Sequence, residues 1–85
     1  MKSIKLSKEQ QVNIADCLES LRKAYGLTLH EVSRCTGIPV STLYRYELDG
    51  QISEERLNQV ADYYELPPDQ LLAGWEAAQR FVPRS

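Results

Sequence analysis

Residues 28–50 read TLHEVSRCTGIPVSTLYRYELDG, and this stretch decides the fold. It opens on a capping box, in which the Thr28 side chain accepts from the backbone N–H of Glu31 and the Glu31 side chain accepts from that of Thr28. The helix that the box begins is short, because Gly37 and Pro39 stop it after about two turns. Two short helices joined by so tight a turn must cross steeply, and glycine can take the positive φ that such a turn requires.

A second short helix is predicted from about Val40 to Leu48, with Pro39 in its first turn. The pair Asp49-Gly50 is a turn signal that ends it. On a helical wheel, Leu43 and Tyr46 face the core. The opposite face is expected to present Val40, Ser41, Tyr44 and Arg45 outward, with Leu48 beside them.

The rest of the chain carries helix signals at regular intervals. The capping box of residues 7–10 opens a first helix, whose apolar set includes Val12, and Gly26 ends that helix. Ser53 caps a fourth helix, and residues 67–69 begin a fifth segment that ends near Gly74. Because no strand alternation and no repeat occur, the sequence predicts an all-α fold with five helices.

Composition restricts the function classes. The 85 residues carry a net charge of −2, which argues mildly against a partner such as nucleic acid, although six of the twelve acids lie in residues 51–85. No apolar run approaches a membrane span and no secretory signal follows Met1, so a cytoplasmic protein without membrane contact is expected. Cys17 and Cys35 are predicted to be reduced thiols in or near the core, with a redox switch as the alternative.

Catalytic and metal chemistry find little support in the sequence. There is no nucleophile–base pairing, no glycine-rich phosphate loop and no paired carboxylates, so the chain is not expected to be an enzyme. His30 is the one histidine, and the spacing of the cysteines matches no zinc pattern. We therefore expect no metal, no cofactor and no small-molecule ligand.

Residues from about Leu21 to Leu72 resemble the Cro and phage-repressor-like (xenobiotic-response-element type) helix-turn-helix family. No single tripeptide carries the resemblance, but the ordered set does. It reads Leu21-Arg22, Gly26-Leu27-Thr28, Glu31-Val32-Ser33, Thr36-Gly37-Ile38-Pro39-Val40-Ser41-Thr42-Leu43, Tyr46-Glu47, Asp49-Gly50, Leu57 to Ala61, and Leu66-Pro67-Pro68-Asp69-Gln70-Leu71-Leu72.

The resemblance implies a compact five-helix bundle of the lambda-repressor-like DNA-binding type, with the third helix in the major groove. The implied domain covers residues 1–74, with the helix-turn-helix at 28–48. Residues 75–85 are then a short C-terminal helical extension. In it, Trp75 and Phe81 either cover the domain's own core or form a dimer surface.

The resemblance also assigns roles to individual residues. The positions that contact base edges in the family are occupied here by Val40, Ser41, Tyr44 and Arg45. Those that contact phosphate are Thr42 and the loop after the third helix, which includes Gly50. On physical grounds, the N–H groups at Thr28 and Leu29 are a further anion site. The family's pairing of a late helix-1 arginine with a glutamate ending helix 3 falls on Arg22 and Glu47.

Some positions depart from the family's pattern. Val40 replaces a residue that is often polar, and it offers only apolar contact, for instance to a thymine methyl. Arg45 is the best candidate for a base contact, because its guanidinium can pair with guanine O6 and N7. Its alternative is a solvated surface arginine, and for Tyr44 the alternative to a phosphate or sugar contact is packing at the rim.

Two functions from different classes remain open at this stage. The first is a sequence-specific transcriptional regulator, a repressor that binds a palindromic operator as a homodimer. Lys5, Lys8 and Arg34 would add phosphate contacts, and residues 1–8 would form a flexible basic arm. The second is a protein-interaction module that keeps the fold and acts as an antirepressor, an antitoxin or a regulator's partner.

Overall fold

Six α-helices account for most of the chain in a computed structural model that describes residues 6–81, with Phe81 described in its backbone alone. They are α1 (Lys8–Ala24), α2 (Leu29–Thr36), α3 (Val40–Asp49), α4 (Glu54–Tyr63), α5 (Pro68–Ala73) and α6 (Trp75–Ala78), followed by a 3₁₀ turn at Gln79–Phe81. No strand occurs within these residues. The predicted all-α class, with five helices and a short helical extension, is confirmed.

The predicted caps begin the helices. The Ser7 hydroxyl accepts from the backbone N–H of Gln10 at 3.1 Å, and the Gln10 side chain accepts from the Ser7 N–H at 3.0 Å. Thr28 and Glu31 form the same reciprocal pair at the start of α2. Ser53 caps α4. Each box satisfies two backbone donors that the first helical turn leaves without a partner.

The turn between α2 and α3 is closed by local hydrogen bonds. Gly37 has a φ of 78°, in the left-handed region that favours glycine, and its N–H donates to the Ser33 carbonyl at 2.8 Å. The Thr36 hydroxyl donates to the Val32 carbonyl at 2.7 Å and accepts from the backbone N–H of Ile38 at 3.2 Å. Ile38 is fully buried, so it anchors the turn to the core. Helix α3 begins one residue after Pro39, which lies at its N-cap rather than in its first turn.

Helix α1 is the central element, since it packs against α3, α5 and α6. Its buried face carries Ile14, Cys17 and Leu21, all without exposed surface. Val12 is 65% exposed, so its predicted place on this face was wrong. A helix turns by about 100° per residue, so Val12 and Ile14, which are two positions apart, point to nearly opposite sides of α1. The core continues through Val32, Ile38, Leu43, Tyr46, Leu57, Val60, Tyr64 and Leu71.

Helix α3 ends where it touches the backbone of α1. Gly50 has a φ of 68° and is buried, and its N–H donates to the Tyr46 carbonyl at 3.0 Å. A Cβ at this position would overlap the backbone carbonyl oxygen of Gln11 and come within 2.7 Å of its carbonyl carbon. The glycine therefore allows an approach of two backbones that no side chain permits.

Helix α4 holds the turn from the other side. The Gln59 side chain donates to the backbone carbonyl of Thr36, the last residue of α2. The Arg56 guanidinium donates in turn to the Gln59 side-chain oxygen at 3.0 Å. These bonds satisfy a helix-terminal carbonyl that has no partner within α2.

The segment after Gly74 folds back onto the domain. Ala78 is fully buried, and Trp75 is half-buried and packs against the core. The Asn13 side chain of α1 donates to the Leu72 carbonyl at 3.0 Å, which ties α5 to the same surface. Trp75 thus covers part of the domain's own core. The side chain of Phe81, its predicted companion, lies outside the described part of the chain.

Candidate nucleic-acid interface

The outward face of α3 is open to solvent. Leu43 and Tyr46 are only 4% and 7% exposed, whereas Tyr44 is 55% exposed. Ser41 and Arg45 are also exposed, so these three polar side chains share one side of a helix whose other side is in the core. Leu48, on the same face, is 67% exposed. The helical wheel placed it there, but sequence reasoning assigned it no role.

The remaining α3 positions differ in their exposure. Val40 and Thr42 are half-buried at the first turn, and neither side chain is fully withdrawn from solvent. Gly50 is buried, and its N–H is already bonded to Tyr46. The structure therefore explains this glycine by its packing against α1, and its bonded N–H is not free to donate to a phosphate.

The N-terminus of α2 offers backbone donors. Leu29 is half-buried with its side chain packed against the core, and Thr28 is exposed. The first intrahelical bond here is donated by the Val32 N–H to the Thr28 carbonyl, so the N–H groups of Leu29 and His30 precede it and remain for an external acceptor. Hydrogen bonding to Thr28 lowers the pKa of Glu31, and this charged carboxylate opposes a phosphate at the same end.

An ion pair fixes α3 relative to α1. The Arg22 guanidinium donates from Nε to Glu47 Oε2 at 2.9 Å and from Nη2 to Glu47 Oε1 at 3.1 Å. A third bond, from Nη1 to the Leu27 carbonyl at 3.1 Å, ties the same group to the turn before α2. The hydrogen bond to Glu47 raises the pKa of Arg22. Because the two side chains are only 17% and 11% exposed, the pair is well placed to orient α3.

The basic side chains near this face are few. Arg45 lies on α3 and Arg34 is exposed in the last turn of α2. Lys8 is exposed at the start of α1, while Lys5, and with it most of the predicted basic arm, lies outside the described residues. The positive charge available for phosphate contacts is therefore local and modest.

The two cysteines have different surroundings. Cys17 is buried and Cys35 is exposed, and both are free thiols. Burial, and after it the Asp16 carboxylate, raise the pKa of the Cys17 thiol to about 12. Cys17 therefore stays protonated and packs as a small apolar side chain.

Residues 6–81 contain neither a candidate metal site nor a candidate membrane span. No group of three or more His, Cys, Asp or Glu side chains in this part of the chain is arranged to hold a metal ion. None of its helices is both long and apolar enough to cross a membrane.

Comparison with known proteins supports the geometry. Residues 18–71 match the model of a helix-turn-helix family, a span that includes all of α2, the turn, α3 and α4. Searches of curated proteins and of solved structures gave no match. The family match covers more than half of the chain, and it agrees with the tight Gly37 turn and the solvent-facing α3. The chain therefore belongs to the Cro and phage-repressor-like helix-turn-helix family of DNA-binding transcription regulators.

Proposed function

We propose that this protein is a sequence-specific repressor that reads its operator through α3 in the major groove. The observation that carries the proposal is the polar, solvent-exposed face of α3, formed by Ser41, Tyr44 and Arg45. The opposite side of α3 is anchored in the core by Leu43 and Tyr46, and the ion pair between Arg22 and Glu47 fixes the orientation of the helix. A helix that recognises DNA needs one solvent-exposed side to contact the bases and another side that the core holds in place.

Each exposed side chain suits a different contact. Arg45 can donate two hydrogen bonds to guanine O6 and N7, the commonest specific contact in the major groove. Ser41 can donate to or accept from a base edge, and Tyr44 can reach a phosphate or sugar. Val40, half-buried at the start of α3, can contact a thymine methyl group.

Phosphate contacts are proposed at the edges of this face. The free N–H groups at the start of α2 and the hydroxyls of Thr28 and Thr42 are suitable donors. Arg34 and Lys8 add exposed positive charge. Because the acids outnumber the bases overall, binding is expected to depend on these few contacts and to weaken with salt in proportion to their number.

Replacing Arg45 tests the proposal most directly. Arg45→Ala is expected to weaken binding to the operator by about 5- to 150-fold, the equivalent of about 1–3 kcal/mol for a lost bidentate base contact. The measurement is a salt-titrated binding assay against the DNA upstream of the protein's own gene. The matched control is Arg34→Ala, which should weaken all sequences alike and reduce the salt slope by about one. If Arg45→Ala leaves sequence discrimination unchanged, α3 does not read bases through this residue.

A homodimer on a palindromic site is the second part of the proposal. One copy of so small a domain contacts a single half-site, and two copies reach half-sites about 34–36 Å apart on one side of the duplex. We place Trp75 at the dimer surface, because its side chain is half-buried in the described chain and retains apolar area for a partner. Sedimentation equilibrium is expected to show a dimer, and Trp75→Arg is expected to shift it to the monomer. A dimer that survives this substitution would remove Trp75 from the interface.

A second candidate function has its own supporting observations. The net charge of −2 and the exposure of Leu48 and of the Tyr44 ring on α3 are typical of a surface that meets a protein. The chain would then serve as an antirepressor, an antitoxin or a partner of another regulator. In the same assay, absence of binding to every genomic fragment at low salt would exclude the repressor and favour this function.

A further inference from the structure

A small pocket opens between the ends of α1 and α4, and none of its lining residues belongs to α3. It is lined by Tyr25, Leu27, Tyr63, Tyr64 and Glu65 and has a volume of about 170 Å³. An apolar cavity of about 150 Å³ holds a molecule of benzene, so this pocket suits a group of similar size. It is too small for a drug-sized ligand.

Three of the five residues that line the pocket are tyrosines, and their rings pack against one another. The rings of Tyr25 and Tyr64 are stacked, with centroids 5.9 Å apart and planes inclined by 21°. Tyr63 meets Tyr64 edge-on, at 5.0 Å and 68°. Tyr64 is only 5% exposed, whereas Tyr25 keeps 39% of its surface in solvent. The faces of aromatic rings carry negative potential and attract cations.

The charge that the lining residues themselves contribute is negative. Glu65 lines it directly, and both α1 and α4 end here with the negative ends of their helix dipoles. Burial, and after it the nearby Glu47 carboxylate, raise the pKa of Tyr64. The Arg22 guanidinium donates to the Leu27 carbonyl, but Glu47 already neutralises it. A positive ligand would therefore meet an uncompensated carboxylate rather than a competing charge.

The backbone at Glu65 is strained. Its φ is 58°, the one positive value at a non-glycine residue within the described chain. At the matching position after α1, between the lining residues Tyr25 and Leu27, Gly26 has a φ of 67°. Residues other than glycine adopt this conformation at a cost, and such strain gathers at functional sites. An acidic residue thus lines the pocket at a position where glycine would fit the backbone better.

We propose that this pocket binds a small organic cation of the quaternary-ammonium class, whose trimethylammonium group is of the size of the cavity. Such a group has no N–H to satisfy, so aromatic side chains and one acidic residue are sufficient to hold it. The proposal is independent of DNA binding, because the pocket contains no residue of the α3 face. The sequence carries no signal of it, since residues 25–27 and 63–65 meet only in the folded chain.

The test is a titration of the full chain with choline, followed through the amide NMR signals. Choline is expected to cause saturable shifts at Leu27 and at residues 63–65, and sodium chloride at equal concentration is expected to cause none. The neutral isostere 3,3-dimethylbutan-1-ol should bind at least about tenfold more weakly, because it lacks the charge. Equal binding of the two compounds would show an apolar pocket only and would overturn the proposal. Tighter binding of ethylguanidinium than of choline would overturn the assigned ligand class.

Two variants separate recognition from folding. Tyr25→Leu removes an exposed ring and should weaken choline by about two- to fivefold, whereas Tyr25→Phe keeps the ring and should bind as the parent does. Glu65→Gly removes the carboxylate and relieves the positive φ, so choline affinity should fall while the melting temperature stays the same or rises. If choline binds both Tyr25→Leu and Glu65→Gly as tightly as it binds the parent protein, the proposal is wrong.

Discussion

Replacing Gly50 by alanine is expected to cost the fold about 3–5 kcal/mol, a large part of the stability of a domain of this size. Two effects add. The left-handed φ of 68° disfavours any Cβ, and the new methyl would overlap the Gln11 carbonyl oxygen in α1. The obstructing atoms belong to a helix backbone, which cannot swing aside as a long side chain does. The expected readout is a fall in Tm of roughly 15 °C or more in thermal unfolding.

Gly37→Ala is the matched control for this prediction. Gly37 has a similar φ of 78°, but a Cβ there would meet nothing within 4 Å. Only the backbone conformation is penalised, so the expected cost is about 1–2 kcal/mol. The difference between the two variants isolates the close approach of α3 to α1. Equal losses in urea unfolding would show that the contact with Gln11 contributes nothing.

The sequence predicted those features that depend on neighbours along the chain. The Thr28 and Ser7 boxes, the glycine turn and the exposed side of α3 each follow from residues within one or two helical turns of one another. Val12 shows the limit of that reasoning, since an apolar residue was assigned to the core although its spacing from Ile14 forbids it. The proposed base contacts of Arg45 rest both on the family resemblance and on the solvent exposure of its side chain.

Features that join distant parts of the chain were less predictable. The Arg22–Glu47 pair spans 25 positions, and the family resemblance rather than any local pattern indicated it. The family resemblance assigned Gly50 to phosphate contact, and nothing local reveals that Gln11 lies against it. The pocket lined by the three tyrosines was not predicted for the same reason, because it forms where the ends of α1 and α4, distant in the sequence, meet.

The Arg22–Glu47 pair leads to the other large effect. Glu47→Ala is expected to destabilise the fold by about 2–3 kcal/mol, below the full cost of breaking a completely buried pair, because both side chains keep some exposure. The loss arises from the charged guanidinium that remains, held beside the Leu27 carbonyl and Tyr64 without its counter-ion. The measurement is equilibrium unfolding in urea at neutral pH.

The exposed pair between Glu19 and Lys23 provides the control. Lys23 Nζ and Glu19 Oε2 are 3.4 Å apart, but the Glu19 side chain is 47% exposed and that of Lys23 is 66% exposed, so Glu19→Ala should cost no more than about 0.5 kcal/mol. A second comparison tests the cause: in Arg22→Met with Glu47→Met no buried charge is left alone, and most of the lost stability should return. If the double variant is as unstable as Glu47→Ala, the loss comes from packing rather than from the unpaired charge. If instead stability returns but operator affinity does not, the pair serves chiefly to orient α3 for reading DNA.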